Sequence, residues 1–350
     1  MKISAAIRSL HPRRVFQISR ARRTEVRNVL LRLEAEGISG WGEASPNSYY
    51  AEDAEDVARR LRRLEPWLKN LSITSVRDIE KAWKDFWPLL APSRAAQCAL
   101  DLALWDWLGK KEGVTVSELV WNRKPRAVVS FGTLGIMTET ERLEALPDYA
   151  GFEWIKLKMG FQPDESLLQS VRQKTGAKLA IDANAAWLNV PALDWAERLA
   201  GAGAVFLEQP FPPSAKRQSA WLRREGKLPI FADESCVLED DVTALADSFS
   251  GCNIKLVKCG GLTPGLRMLR QARELGLQTM IGCMLESSLL IAAGGVLGQE
   301  SDYADLDGAW LLRDDPFIGA ALSEGKLQLS TNPGLGVKLK KPGSSISRGA

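Results

Sequence analysis

The sequence predicts an α/β protein built around a (β/α)8-type barrel, because reactive residues recur at the spacing of a strand-helix unit. Lys158, Asp182, Glu208, Asp233 and Lys255 follow one another at intervals of 24, 26, 25 and 22 positions. Each lies at the end of a short apolar run such as WIKLK or AVFLE, and each is followed by enough chain for a loop and a helix. In such a barrel the C-terminal ends of the strands share one mouth, where the chemistry takes place.

Three further apolar runs bring the number of predicted strands to eight. They are AVVSFGT (127–133), LQTMIGCM (277–284) and YADLD (303–307). We expect a TIM-like barrel of this type, in the (β/α)7β form. The predicted strand ends are Thr133, Lys158, Asp182, Glu208, Asp233, Lys255, the vicinity of Cys283, and Asp305 with Asp307.

The chain before the barrel series predicts an N-terminal α+β capping domain. VRNVLLRLE (26–34) indicates a strand, and the glycine turn after it indicates a hairpin. Two helices should follow, over 51–68 and over 93–111, the second with Ser93 as its N-cap. The polar tail should return to complete this domain. The expected boundaries are 1–120 for the capping domain, 121–310 for the barrel and 311–350 for the C-terminal segment.

Composition favours an ordinary globular protein, and the N-terminal segment makes the cytoplasm the expected compartment. The net charge is only +3, and basic and acidic residues are interspersed, so we expect neither nucleic acid nor membrane as a partner. The N-terminal segment is interrupted by Arg8 before it could form a signal-peptide core. The five cysteines show no C-x-x-C spacing, which argues against a disulfide framework and a zinc site.

A single histidine, His11, lies far in sequence from the barrel series. Catalytic triads and histidine-rich zinc sites both require histidine at the mouth. Proton transfer should therefore depend on lysines and carboxylates.

The three central carboxylates predict a metal site. Asp182, Glu208 and Asp233 end consecutive strands, which lie about 4.8 Å apart in a sheet. Carboxylates that close repel one another unless a cation joins them. Because the ligands are all oxygen atoms, a hard divalent ion is expected, and Mg²⁺ is the natural candidate.

The two flanking lysines predict proton transfer on both faces of one carbon. Lys158 and Lys255 end strands that are four apart in a ring of eight, so they should lie on opposite sides of the mouth. If the metal binds a carboxylate on that carbon, it stabilises the enediolate formed when the α-proton leaves. One lysine would take the proton and the other return one, which inverts a stereocentre. Lys156, on the same strand face, should lower the pKa of Lys158.

The pair Asp305 and Asp307 indicates a site for a cationic group, because carboxylates at i and i+2 on a strand point the same way. A substrate α-ammonium fits. Simpler interpretations exist, since a Lys-x-Lys often marks a solvated edge and a strand-terminal Asp often caps a helix. The coincidence of three consecutive carboxylates flanked by two lysines favours catalysis.

Several motifs together resemble the enolase superfamily, in particular its muconate-lactonizing-enzyme subgroup. The barrel motifs are KLK (156–158), DANAAW (182–187), EQP (208–210), ADES (232–235) and NIKLVKCGGL (253–262). GWGEASP (40–46) and ALDLALWDWLGK (99–110) are similar to the capping domain of that subgroup. ADLDG (304–308) resembles the Asp-x-Asp signature of dipeptide epimerases. Together, QISRARRTE (17–25), ADESC (232–236), GCML (282–285) and DLDG (305–308) are most similar to the motifs of proteobacterial L-Ala-D/L-Glu epimerases.

The resemblance implies a Mg²⁺-dependent epimerase that inverts the α-carbon of the C-terminal residue of a dipeptide. Asp182, Glu208 and Asp233 would hold Mg²⁺, with Lys158 acting on the R face and Lys255 on the S face. Lys258 is a competing candidate for the second base, and Asn253 would support the site. Residues expected to line the substrate site are Thr133, Lys156, Cys283, Leu285, Asp305 and Asp307.

Alternatives remain at this point. An o-succinylbenzoate synthase would use the same lysines and carboxylates but has no ammonium to bind. Two other functions are a Schiff-base aldolase and a metal-binding barrel without catalysis. Independently of the function, the chain could assemble into a homo-oligomer. The loops at 16–24 and 45–50 should decide which dipeptide side chain is accepted. Arg20, Arg22 or Arg23 could pair with an acidic side chain or be surface charge. Ala21, Glu286 and Ala309 depart from the usual pattern.

Overall fold

The computed structural model describes residues 1–340; the last ten residues of the predicted C-terminal segment lie outside this range. The strands are β1 (Lys2–Leu10), β2 (Phe16–Ile18), β3 (Ala21–Arg23), β4 (Val26–Ala35), β5 (Ile38–Ala44), β6 (Val128–Val129), β7 (Gly132–Leu134), β8 (Trp154–Lys158), β9 (Lys178–Asp182), β10 (Ala204–Glu208), β11 (Ile230–Ala232), β12 (Gly251–Lys255), β13 (Gln278–Gly282), β14 (Tyr303–Asp305), β15 (Phe317–Ile318), β16 (Ala321–Ser323), β17 (Lys326–Gln328) and β18 (Lys338–Leu339).

The α-helices lie between and after these strands, and two 3-10 helices cover Ser48–Tyr50 and Leu146–Tyr149. The α-helices are α1 (Ala54–Arg63), α2 (Glu65–Leu68), α3 (Val76–Leu90), α4 (Arg94–Glu112), α5 (Val116–Trp121), α6 (Glu139–Ala145), α7 (Glu165–Thr175), α8 (Ala192–Gly201), α9 (Lys216–Glu225), α10 (Glu239–Leu245), α11 (Leu256–Cys259), α12 (Leu262–Glu274) and α13 (Ser288–Gly298). No helix within residues 1–340 combines the length and the apolar character needed to cross a membrane.

Elements β1–β5 and α1–α5 form an α+β unit that we call the cap. Strands β1, β4 and β5 make an antiparallel sheet in that order. Helix α4 starts at the predicted N-cap, Ser93, whose side chain accepts a hydrogen bond from the amide of Ala96. The helix lies directly on β5, where a Cβ at Gly42 would come within 1.8 Å of the carbonyl oxygen of Ala99. Glycine at this position therefore permits the close approach of helix and sheet.

Strands β7 to β14 form the predicted barrel. They lie in chain order in one eight-stranded sheet, and their neighbouring strands are paired in parallel. The first and last strands approach each other where the amide of Phe131 donates to the carbonyl of Ala304 at 2.8 Å. At least one helix follows each strand except β14 within the described chain. The predicted (β/α)7β architecture with an N-terminal α+β cap is confirmed.

Strand alternation places an apolar layer directly beneath the polar mouth. Successive residues of a strand face opposite sides, so a residue two positions before a strand end points into the barrel with it. One buried cluster contains four residues that precede predicted functional positions by two, together with Met280 of β13, and its members are Phe131, Ala180, Phe206, Phe231 and Met280. The functional side chains therefore lie on a packed hydrophobic floor.

Three parts of the fold differ from the expectation. The predicted strand 127–133 is divided into β6, which pairs with β17, and β7, which belongs to the barrel. The predicted helix 51–68 is interrupted at Leu64 and followed by the short α2, which has Pro66 in its first turn. Strand β1 and helix α3 were not predicted.

The chain after β14 contacts both the barrel and the cap. Strands β16 and β17 form a sheet with β6. Farther along, the amide of Val116 donates to the carbonyl of Gly334, and the carboxylate of Asp106 in α4 accepts from the amide of Leu335 at 2.8 Å. Trp41 of β5 lies against Phe317 with ring centroids 5.6 Å apart.

Candidate active site

Three buried carboxylates meet at the mouth of the barrel. Asp182 ends β9 and is paired in register with Glu208 at the end of β10, while Asp233 directly follows β11. One carboxylate oxygen from each residue lies within 4.8 Å of the others. Carboxylate oxygens without nitrogen or sulfur ligands suit Mg²⁺. This donor set fits the predicted metal.

Lys158 and Lys255 lie at opposite ends of this carboxylate row. Lys158 is paired in register with Asp182, and its Nζ lies 2.5 Å from that carboxylate. On the other side, the Nζ of Lys255 lies 2.8 Å from Asp233. Both lysines line one cavity of about 550 Å³ between the cap and the barrel. A group held in this cavity would therefore have an amine on each side.

Two further lysines are buried beneath the mouth and do not line the cavity. Lys156 donates to Glu208 at 2.8 Å and to Asp305 at 2.5 Å. Lys258 donates at 2.6 Å to the carboxylate and to the main-chain carbonyl of Asp233. The structure thus brings Lys156 to two carboxylates rather than into the cavity, and Lys258 holds Asp233 in place.

The lysines control the ionisation of the carboxylates. Burial alone would raise the pKa of Asp182, but the ammonium groups of Lys158 and Lys156 outweigh it and hold that pKa below its ordinary value. In the same way, Lys255 and Lys258 outweigh burial and hold the pKa of Asp233 well below its usual range. Burial and the nearby Asp182 instead raise the pKa of Glu208.

The pKa of Lys255 also departs from its ordinary value. Burial would lower this pKa, but the carboxylates of Asp233 and Glu208 outweigh it and raise the pKa of Lys255. The ammonium form is therefore stabilised while Lys255 contacts Asp233.

The Asp-x-Asp pair lies beside Thr133 at the other side of the cavity. The Oγ1 of Thr133 donates to Asp305 at 3.0 Å, and its amide donates to Asp307 at 2.6 Å. Asp305 faces Lys156, and although burial alone would raise its pKa, Lys156 and Lys158 hold the pKa of Asp305 below its ordinary value. Burial and the neighbouring Asp305 raise the pKa of Asp307 to about 7. Within residues 1–340, Asp307 forms no ion pair.

Most of the residues predicted to bind the substrate lie in the wall of one cavity. The wall of the 550 Å³ cavity includes Thr133, Cys283, Leu285, Asp305 and Asp307, whereas Lys156 lies outside it. The two cap loops that were expected to determine specificity, 16–24 and 45–50, also contribute to this wall. Of the three arginines considered for an acidic side chain, Arg20 and Arg23 line the cavity and Arg22 does not.

Two residues that support the carboxylates were not assigned from the sequence. The Oε1 of Gln209 accepts hydrogen bonds from the amides of Asp233 at 2.8 Å and Ser235 at 3.0 Å. The amide of Asn184 donates to Asp182 at 2.8 Å. Both residues have positive φ, 38° for Gln209 and 47° for Asn184, directly beyond the strand ends. In the sequence, only their positions within the motifs EQP (208–210) and DANAAW (182–187) indicated that these two residues belong to the site.

Asn253 was expected to support the site, and its Nδ2 donates to Glu208 at 2.7 Å. The side chain fits because the neighbouring strand carries Gly282, where a Cβ would lie 2.4 Å from the Oδ1 of Asn253. Glycine at the end of β13 therefore leaves space for the amide that orients Glu208.

The chain is similar to known epimerases in both sequence and fold. The chain is 34% identical to the L-Ala-D/L-amino acid epimerase of Flavobacterium johnsoniae, over 97% of this chain and 100% of that protein. It is 36% identical to the hydrophobic dipeptide epimerase of Roseobacter litoralis, over 88% of this chain and 90% of that protein. The crystal structure of a dipeptide epimerase from Methylococcus capsulatus, complexed with Mg and the dipeptide L-Arg-D-Lys, superimposes with a TM-score of 0.84. That alignment covers 96% of this chain and 98% of the other, at 29% identity.

Both halves of the chain match one protein family. Residues 2–120 match the N-terminal domain of the mandelate racemase / muconate lactonizing enzyme family, and residues 139–343 match the enolase C-terminal domain-like family. These matches together cover nearly the whole chain, and the first coincides with the cap. The chain therefore belongs to the mandelate racemase and muconate lactonizing enzyme family, within the enolase superfamily.

Proposed function

We propose that this protein is a Mg²⁺-dependent dipeptide epimerase, an isomerase that inverts the α-carbon of the C-terminal residue of its substrate. The observation that carries the proposal is the placement of Lys158 and Lys255 at opposite ends of a buried carboxylate row, in the wall of one cavity. Two amines on either side of one carbon suit removal of a proton from one face and return from the other.

Asp182, Glu208 and Asp233 would hold Mg²⁺. When bound there, the ion would stabilise the negative charge that develops on the substrate carboxylate as the α-proton leaves. Asn253 orients Glu208, while Gln209 and Lys258 orient the chain at Asp233. These contacts fix the carboxylates before any ligand arrives, which reduces the reorganisation required in the reaction.

Proton transfer is assigned to the two cavity lysines. Lys158 removes or returns the proton on the R face, and Lys255 does so on the S face. The buried lysines, Lys156 and Lys258, do not line the cavity and are not given this role. In the enediolate the α-carbon is planar, so delivery from the second lysine produces the opposite configuration.

Asp307, with Asp305 beside it, would bind the free ammonium of the dipeptide. Asp305 already has Lys156 as its counter-ion, so Asp307 supplies the unpaired negative charge. A buried carboxylate gains most from a partner of opposite charge. This arrangement favours an amine substrate over the o-succinylbenzoate synthase reaction, whose substrate has no ammonium.

Incubation of the protein in D2O with Mg²⁺ and a dipeptide library tests the function. An epimerase exchanges the α-hydrogen of the C-terminal residue for deuterium and produces the second diastereomer, and both changes are measured by mass spectrometry and chiral chromatography. A metal-binding barrel without catalysis would exchange nothing. A Schiff-base aldolase would remain active after EDTA, and an o-succinylbenzoate synthase would dehydrate its own substrate, so each alternative has its own result.

A further inference from the structure

The hairpin formed by β2 and β3 has little stability of its own. Each strand has three residues, and the pair forms a separate two-stranded sheet. A two-stranded hairpin by itself is marginally stable in water. Its position over the barrel mouth must therefore be fixed by contacts with the rest of the protein.

Arg20, between the two strands, contacts the barrel in addition to a main-chain hydrogen bond from the amide of Ile136 to the carbonyl of Gln17 at 2.8 Å. Its Nη1 donates to the main-chain carbonyl of Asn184 at 2.9 Å, and its Nη2 lies 2.6 Å from Oε1 of Glu234. Asn184 and Glu234 follow the carboxylates Asp182 and Asp233 by two and one positions. The hairpin is thus attached to the two loops that carry the outer members of the carboxylate row.

The charged partner of Arg20 is a buried group, since the side chain of Glu234 is fully buried. Within residues 1–340 it forms an ion pair with Arg20 alone, whose side chain is 30% exposed. A buried carboxylate without a cation is costly, so the guanidinium is held to this position.

Arg20 also joins the second cap loop to the hairpin. Its guanidinium carbon lies 4.3 Å from the ring centroid of Tyr49, a distance typical of cation–π contacts. Ile18, Arg20, Tyr49 and Tyr50 all line the cavity that contains Lys158 and Lys255. One side chain therefore fixes both cap loops against the barrel.

We propose that Arg20 is a positioning residue that clamps the two cap loops onto the barrel mouth and so shapes the wall that receives the substrate. The effect of Arg20 on substrate affinity rests on the proposed function. The clamp itself can be measured without any substrate, so the two can fail separately.

Amide hydrogen exchange measured by mass spectrometry tests the clamp in the full chain. In Arg20→Met, exchange of the amides in residues 16–23 should accelerate about tenfold, because the hairpin then opens locally more often. Glu234→Gln should accelerate the same amides by a smaller factor, since it leaves the bond to Asn184 and the contact with Tyr49, and the double variant should be no worse than Arg20→Met, since the Arg20–Glu234 pair is lost in both. Unchanged exchange in folded Arg20→Met, or additive effects, would overturn the clamp.

Steady-state kinetics test its consequence for the substrate. Arg20→Met should raise KM for the preferred dipeptide about tenfold and change kcat much less, because loss of binding shared by ground and transition states appears in KM. Arg20→Lys should recover part of the loss, and Mg²⁺ affinity measured by calorimetry should be unchanged. A fall in kcat at constant KM would mean that Arg20 takes part in the chemistry instead.

Arg14→Met provides a matched control. Arg14 also connects the chain beside the hairpin to the barrel, through Asp148 and the carbonyl of Glu144, but the ion pair is exposed and the residue does not line the cavity. Exposed ion pairs contribute little. Both amide exchange and KM should remain as in the wild type, and a change equal to that of Arg20→Met would refute a specific clamp.

Discussion

Lys156 and Lys158 lie two positions apart on one strand, yet the nearest partners of their side chains differ. Lys158 contacts Asp182 and lines the cavity, whereas Lys156 is buried between Glu208 and Asp305. The alternation of side-chain direction along a strand was sufficient to predict that both lysines point into the barrel. It could not predict which carboxylate each would meet, because Asp305 comes from a strand at the far end of the series.

Replacement of either cavity lysine by alanine should separate the two half-reactions. Epimerisation should fall by about 10³-fold, since general acid–base groups contribute roughly 10²–10⁴. Lys158→Ala should still exchange the α-hydrogen of the L isomer, and Lys255→Ala that of the D isomer, because one base remains in each case. Proton NMR in D2O measures both rates.

An exposed lysine provides the control for this experiment. Lys178, at the opposite end of a barrel strand, is 57% exposed and pairs with Glu153. Lys178→Ala should epimerise at the wild-type rate. Full epimerisation by Lys158→Ala or Lys255→Ala would contradict the two-base assignment.

Asp307 should make dipeptide binding depend on pH. Its neighbours are Thr133, Asp305, Lys156 and Lys158, and burial with Asp305 raises its pKa to about 7. Below that pH the acid is protonated and cannot pair with an ammonium, so KM should fall as pH rises from 6 to 8. Below pH 7 the expected slope is about tenfold per unit.

Asp307→Asn should remove this dependence while KM stays high at pH 8. The exposed Asp194 supplies the control, since Asp194→Asn should retain the wild-type profile. Kinetics from pH 6 to 8 on one dipeptide measure both variants. An unchanged profile in Asp307→Asn would place the ammonium elsewhere.

Among the elements, the barrel strands were predictable and their neighbours were less so. The strands β8, β9, β10 and β12 end at the predicted residue, because each combines an apolar run with a polar end and recurs at a constant period. The division between β6 and β7 was not predictable, since β6 pairs with β17 and Phe131 of the link bonds Ala304, both far along the chain. Long-range pairing leaves no local signal.

The loop after β10 should control metal affinity through Gln209. Its amide oxygen accepts from the amides of Asp233 and Ser235, and its nitrogen donates to the carbonyl of Phe211 at 2.7 Å. Gln209→Ala should weaken Mg²⁺ binding by about 10-fold to 100-fold, the usual effect of removing a residue that orients a ligand.

Calorimetric titration with Mg²⁺ alone measures that effect without substrate. Gln218→Ala, on the exposed side of α9, is the control and should bind Mg²⁺ as the wild type does. If Gln209→Ala kept full affinity, the orientation of Asp233 would have to come from Lys255 and Lys258.

Across the whole molecule, the cap and barrel meet through buried carboxyl groups. Glu43 of β5 accepts from the amide of Ser287 at 3.1 Å, and Asp101 of α4 accepts from the amide of Thr263 at 3.0 Å. These amides lie at the starts of α13 and α12, where a carboxylate is favourably placed. Burial nevertheless raises the pKa of Glu43 and of Asp101 to about 7 in each case. The capping domain was predicted but these contacts were not, because sequence does not show which acids become buried.

Glu286, at the same interface, should make the folded protein less stable as pH rises. Its Oε1 accepts from the amide of Met284 at 2.8 Å, and burial raises its pKa to about 8. An unfolded glutamate titrates near 4.3, so between about pH 4 and 8 the folded state holds a proton that the unfolded state has lost. The contribution of Glu286 to the free energy of unfolding is therefore greatest below pH 4. Between about pH 4 and 8 it falls by up to about 1.4 kcal/mol per pH unit.

Glu286→Gln isolates that contribution, because the amide keeps nearly the same shape and does not titrate. Urea unfolding at pH 5, 6, 7 and 8 should show a flatter dependence of unfolding free energy on pH in this variant, while Glu43 and Asp101 preserve part of the slope. Glu274→Gln, at an exposed position, is the control and should show the same dependence of unfolding free energy on pH as the wild type. An equal slope in wild type and Glu286→Gln would mean that Glu286 is ionised in the folded protein, with a cation or water that compensates its burial.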